Sequence, residues 1–121
     1  DKLPQAYAWQ TLRETGATVA FSSDWPVSPL DPFLGIQSAM TSLPLSPESP
    51  PQAQSLMDTL DSFTAAGAYT EFAETKKGKL MPGMLADVIS LNGNIEATPA
   101  AQMSTLKPVL TICDGRITFE S

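Results

Sequence analysis

Ala17-Thr18-Val19-Ala20-Phe21 is the one full-length apolar strand candidate in residues 1–77, and it runs straight into Ser22-Ser23-Asp24-Trp25-Pro26-Val27. One strand does not make a sheet, because its backbone N–H and C=O groups need hydrogen-bonding neighbours. A fold built around this segment must therefore find strands for it elsewhere. Its ending is equally constraining. A buried-looking strand that ends on an acid and opens at once into a proline-rich loop is how the C-terminal mouth of a parallel α/β barrel presents a carboxylate. The same local pattern also suits a plain structural cap at Asp24.

The flanking sequence supplies half of an α/β unit. Residues 3–15 read as a helix, with Pro4 at its first position, Leu3, Tyr7, Ala8 and Leu12 on an apolar side, and Gly16 to stop it. The predicted strand is 17–22. The loop that follows, 25–54, holds seven of the 11 prolines (26, 29, 32, 44, 47, 50 and 51). Within it Asp31-Pro32 forms an N-cap and N1 pair for a short helix through Phe33, Leu34, Ile36, Ala39 and Met40. The stretch 44–51 reads as an exposed linker. Ser55 and Asp58 form a capping box that opens a helix over 55–75, with Leu56, Leu60, Phe63 and Gly67 at helical spacing and Lys76-Lys77-Gly78 at its end.

After Gly78 the pattern turns to β. Pro82-Gly83 fits the centre of a type II turn, Ala86 to Leu91 reads as a strand, and Thr98-Pro99-Ala100-Ala101 suggests a short helical turn at most. Asp87, an acid inside an apolar strand, takes a backbone or turn role. Asp114-Gly115 between alternating runs predicts a two-residue type I′ hairpin over 109–119. That loop pairs Cys113 with Arg116, Ile112 with Ile117, Thr111 with Thr118 and Leu110 with Phe119. Leu110, Ile112, Ile117 and Phe119 then share one apolar face. The organisation is an α/β part, 1–77, followed by a β part, 78–121, and both leave strand edges unpaired.

Composition excludes several functions. A net charge of −6, with seven scattered basic residues, argues against nucleic acid. No apolar run approaches the roughly 20 residues of a membrane-spanning helix. The single cysteine, Cys113, allows no internal disulfide and reads as a small hydrophobe within a strand. With no histidine in the chain, no zinc site of ordinary type can be assembled from these residues alone. The localisation cannot be read from the sequence.

Several motifs, taken together and in order, resemble the C-terminal region of the YtcJ-like metal-dependent amidohydrolases. They are Gly16-Ala17-Thr18-Val19-Ala20-Phe21-Ser22-Ser23-Asp24-Trp25-Pro26-Val27, then Asp31-Pro32-Phe33-Leu34-Gly35-Ile36, then Phe63-Thr64-Ala65-Ala66-Gly67-Ala68-Tyr69. Lys77-Gly78-Lys79-Leu80, Pro82-Gly83-Met84-Leu85-Ala86-Asp87-Val88 and the closing Asp114-Gly115-Arg116-Ile117 complete the set. Ser22 stands where the family commonly has Gly. The other amidohydrolase branches, of cyclic-amide or deaminase type, share the Pro82-to-Val88 stretch but not the Ser23-to-Val27 and Asp31-to-Ile36 elements.

The resemblance implies an α/β fold: the C-terminal fragment of a (β/α)8 TIM-like barrel, its last strand and helix, plus part of a small β-sandwich. It implies hydrolysis of carbon–nitrogen bonds in a small amide-like substrate. Asp24 would be both the metal ligand and the general base toward metal-bound water, and Trp25 and Pro26 would line the substrate mouth. The cofactor would be a divalent metal, zinc by family habit. Its histidine ligands, and the strands missing from the sheet, would come from an N-terminal part of the same protein, so the isolated chain is expected to be inactive. The alternative expectation is a non-catalytic binding or assembly module that keeps an amidohydrolase-like ending.

Overall fold

The computed structural model describes residues 6–121. The predicted helix over 3–15 begins outside them, and within them it is shorter, α1 (Trp9–Glu14). Tyr7 explains the late start: its φ of 54° is left-handed, so the helix can propagate only beyond it. Gly16, at φ 90°, closes the helix as expected.

The segment predicted as a strand, 17–22, is neither helix nor strand and joins no ladder among the described residues. The strands that do form, within residues 88–120, pair among themselves and not with it. The segment's backbone-to-backbone bonds run to helices: the Ala17 N–H to the Leu12 carbonyl at 3.3 Å and the Phe21 N–H to the Ser62 carbonyl at 3.0 Å.

The next helix is α2 (Pro32–Thr41), capped as its sequence requires, with Asp31 accepting from the Phe33 N–H and Pro32 at the first position. The N-cap half of the Ser55–Asp58 capping box also forms, while the Asp58 carboxylate takes the Ser55 hydroxyl in place of the Ser55 N–H. Ser55 Oγ accepts the Asp58 N–H at 3.1 Å and donates to Asp58 Oδ2 at 2.7 Å. The helix it opens does not run to residue 75. It is α3 (Leu56–Phe63), broken at Thr64, and then α4 (Ala65–Thr70). Thr64 leaves helical geometry (φ −129°, ψ −87°), and its hydroxyl donates back to the Leu60 carbonyl at 2.6 Å, a competitor for the helical ladder. Phe72, at φ 60°, ends the second piece. Lys77 therefore does not cap a helix C-terminus but pairs with Glu71 at 2.7 Å, which raises its pKa.

The β part is a three-stranded antiparallel sheet in the order β1 (Val88–Leu91), β2 (Pro108–Cys113), β3 (Arg116–Glu120). The Pro82-Gly83 turn forms, with Gly83 at φ 91° and the Met84 N–H bonded to the Met81 carbonyl. Asp114 and Gly115 both have positive φ, as a type I′ turn demands. Asp87 serves that turn: its Oδ1 accepts the Asp114 N–H at 2.8 Å.

The hairpin register departs from expectation beyond its first two pairs. Cys113 faces Arg116 and Ile112 faces Ile117, but an irregularity then places Phe119 opposite Thr111 and Glu120 opposite Leu110. A bulge inserts one residue, Thr118, and a one-residue slip moves a side chain to the other face. The single four-residue apolar face is therefore not formed, and Ile117 and Phe119 are exposed.

The core lies where α2 meets a 3₁₀ helix, Ala100–Thr105. Phe33, Ile36, Met103 and Leu106 are buried together, with Met40, Leu56, Leu60, Phe63, Leu91 and Ile95 packed around them. Sequence patterning allowed residues 94–106 at most one helical turn and missed Met103, which is 1% exposed. Two polar bonds reinforce the contact. Gln37 Oε1 accepts the Ser104 N–H at 3.0 Å, and Lys107 Nζ pairs with Asp31 at 2.6 Å. The helices and sheet also flank a concavity of about 790 Å³, lined by Phe33, Ile36, Leu60, Phe63, Val88 and Leu91 among others. No helix among the described residues is long and apolar enough to cross a membrane.

Met103→Ala is expected to cost about 2–5 kcal/mol in urea unfolding, the range for emptying a fully buried Met site. A loss below 1 kcal/mol would show that α2 does not depend on this contact. Asp31 gives a pH signature. Partial burial works to raise its pKa, but the hydrogen bonds from Lys107 and the Phe33 N–H, with the Lys107 charge, hold it below the usual carboxylate value. Because folding lowers this pKa, the stabilisation is fully present above the unfolded value of about 3.9. It fades as pH falls through the lower folded value. Stability of the parent chain is therefore expected to fall more steeply below about pH 4 than that of Asp31→Asn, whose side chain still caps. Parallel pH curves for the two would refute the pairing.

Candidate active-site loop

The site is built on the apolar segment 17–22, and helices hold that segment in place of strands. Arg13 of α1 carries most of the polar contacts. Its Nη2 donates to the Asp58 carbonyl at 3.1 Å, to the Val19 carbonyl at 3.5 Å and to Ser62 Oγ in a short contact. Its Nη1 lies 3.6 Å from Asp61 and 3.9 Å from Asp58 carboxylate oxygens. The guanidinium thus ties α1, α3 and the middle of the segment together, a planar multi-donor role that lysine could not reproduce. Apolar contact continues the anchoring. The Phe21 ring meets Trp9 edge-on at 6.0 Å and Phe63 at 5.7 Å.

The start of α1 is held in turn by the far end of the proline-rich loop. Ala8, at the N-cap position, offers no side-chain acceptor, and Gln52 takes over. Gln52 Oε1 accepts the Gln10 and Thr11 N–H groups at 2.9 and 3.2 Å, and its amide nitrogen donates to Thr11 Oγ1 at 2.9 Å. Trp9 Nε1 donates to the Gln52 carbonyl at 3.0 Å. A helix start with unpaired N–H groups needs such acceptors. Neither Arg13 nor Gln52 could be found by sequence pattern, because every one of these partners lies about 40 or more residues away, apart from the Val19 carbonyl.

Beyond Phe21 the chain makes a tight double turn. The Val27 N–H bonds the Asp24 carbonyl at 2.8 Å and the Ser28 N–H bonds the Ser23 carbonyl at 3.2 Å. The Trp25–Pro26 peptide bond is cis. The Asp24 N–H points back to Ser22 Oγ at 3.0 Å. Asp24 itself has φ 49°, in the left-handed region that costs a non-glycine residue roughly 1 kcal/mol or more and that Asp tolerates better than most. Its carboxylate is exposed, and Trp25 beside it is 66% exposed. The fold thus brings Asp24, Trp25 and Pro26 together on one projecting loop. It does not bury them, and none of the three lines the 790 Å³ concavity or a smaller one of about 200 Å³ beside Tyr7 and Trp9.

Among the described residues, no group of three or more His, Cys, Asp or Glu side chains could hold a metal ion. Asp24 offers one carboxylate, whereas a catalytic divalent ion takes about three protein ligands. These residues therefore do not make a metal site by themselves. Asp31, read as a cap, caps α2 and is further engaged by Lys107, and Asp58, read as a capping-box partner, gives its N–H to the Ser55 cap and accepts the Ser55 hydroxyl.

Comparison with known proteins gives the family. Residues 1–119 match the model of the amidohydrolase family. The chain is 33% identical over 126 residues to the putative amidohydrolase YtcJ of Bacillus subtilis, covering 99% of this chain and 24% of that protein. It is 32% identical over 93 residues to Protein LONG AFTER FAR-RED 3 of Arabidopsis thaliana, covering 74% of this chain and 16% of that protein. Its fold superimposes on a crystal structure of an amidohydrolase from Thermotoga maritima with a TM-score of 0.68 at 22% identity, covering 93% of this chain and 25% of that one. The chain thus spans a quarter or less of the length of each of these relatives. With the family's model matched from residue 1 to residue 119, this chain belongs to the amidohydrolase family.

Proposed function

We propose that this chain is the C-terminal part of a hydrolase that cleaves carbon–nitrogen bonds in small amide-like molecules, with Asp24 as its proton-accepting carboxylate. The observation that carries the reading is the placement of Asp24. It is an exposed acid in a hydrogen-bonded turn that follows the apolar segment 17–22, in a chain that matches the amidohydrolase family over nearly its whole length. A carboxylate fixed at such a point can take a proton from an attacking water and return it to the departing nitrogen, balancing the cleavage of an amide. Trp25 and Pro26, projecting beside it, are proposed to border the substrate mouth.

The metal dependence implied by the family needs donors that the described residues do not supply. In this reading Asp24 contributes one ligand to a divalent ion, zinc by family habit, and the other ligands come from the rest of a family-length polypeptide. The same remainder is proposed to supply strands beside residues 17–22, completing a (β/α)8 barrel. It would also supply partners for the open sheet edges, completing a small β-sandwich. The unpaired apolar segment and the open edges of β1 and β3 support this, because such edges are stable when covered.

In the complete polypeptide, Asp24→Asn is expected to lower turnover of a panel of N-acyl amines and cyclic amides by roughly 10²–10⁴-fold, the usual worth of a positioned acid or base. Its circular dichroism and unfolding midpoint should match the parent. Undiminished hydrolysis by that variant, or no turnover of any panel member by the parent, would remove the proposal.

A further inference from the structure

Ser22 is an exposed residue two positions before Asp24, and the structure gives its hydroxyl a task. Three hydrogen bonds define the turn around Asp24. Two of them, from the Val27 and Ser28 N–H groups, use the carbonyls of Asp24 and Ser23 and close the loop downstream. The third holds the Asp24 N–H, and its acceptor is Ser22 Oγ. That bond pins the 23–24 peptide plane, in which the Asp24 Cα lies, while the two downstream bonds close the turn in which Asp24 keeps its positive φ. An aspartate has only two side-chain torsions, so the place of its Cα limits the positions its carboxylate can reach. Glycine or alanine at position 22 would offer no acceptor, and the Asp24 N–H would turn to water.

We propose that Ser22 is a positioning residue for Asp24: its hydroxyl pins the peptide from which the Asp24 Cα projects, and so helps place the carboxylate. The inference rests on the reading of Asp24 as the proton acceptor, but the hydrogen bond can be tested without it. The variants are Ser22→Ala, which removes the acceptor at an exposed site, and Ser22→Thr, which keeps it. In the complete polypeptide, amide hydrogen exchange at Asp24 is expected to be roughly fivefold to tenfold faster in Ser22→Ala, the effect of losing one ordinary hydrogen bond. Ser22→Thr should exchange at the parent rate.

With the panel amide that the parent turns over fastest, Ser22→Ala should lose roughly tenfold or more in kcat with KM unchanged. A misaimed catalytic group impairs the reacting geometry and leaves substrate affinity intact. Ser22→Thr should restore kcat. Unchanged exchange in Ser22→Ala, faster exchange with unaltered kcat, or equal loss of kcat in both variants would each overturn the proposal. Those failures leave an inactive Asp24→Asn standing. An active Asp24→Asn would remove the proton-acceptor reading itself.

Discussion

The contact between α2 and the 3₁₀ helix Ala100–Thr105 is the one on which the rest of this structure depends. Phe33 and Ile36 from one side meet Met103 and Leu106 from the other, joining a helical half to a sheet half some 70 residues later in the chain. The sheet could not stand alone. It has three short strands, and β3 is exposed along its whole length. The helical half lacks a sheet altogether. Burying these four side chains is what gives each half something to fold against, at roughly 25 cal/mol for each Å² of apolar surface removed from water. Lys107–Asp31 and Gln37–Ser104 lie beside the contact and set its registration more than its strength, since a half-exposed ion pair is worth about 0–1 kcal/mol.

Around the loop that carries Asp24, polar side chains do what strand neighbours would do in a sheet. Arg13 and the Ser62 carbonyl hold alternate residues of the 17–22 segment, Val19 and Phe21, and Gln52 steadies the helix from which Arg13 projects. The result is an apolar segment with one side fixed to helices and the other side open. Such an arrangement delivers Asp24 to the surface in a defined orientation without enclosing it. A chain that spans a quarter of its relatives would look like this if the closing wall of the site belonged to the remaining three-quarters.

Local chemistry was legible wherever the physics is local. Asp31 capping α2, Ser55 capping α3, the Pro82-Gly83 turn and the Asp114-Gly115 hairpin turn all formed where the residues placed them. Each depends on contacts within a few residues. The failures share the opposite character. The bulge at Thr118, the break at Thr64 and the burial of Met103 are decided by what packs against those positions. The segment 17–22 has strand composition, but a strand is a relation between segments, and no described segment pairs with it.

By itself the sequence determined the kind of chain this is: an acid after a lone apolar strand, a capped helix in a proline-rich loop, and a closing hairpin, in the order its family shares. It also marked Asp24 as the residue to watch, because a carboxylate at that point is readable from composition and order. Only the tertiary structure decided how Asp24 is held. Its left-handed turn, the Ser22 hydroxyl behind it and the Arg13 and Gln52 contacts beneath it are matters of direction and distance. A one-dimensional pattern specifies which groups exist, and only the packed chain specifies which of them face each other.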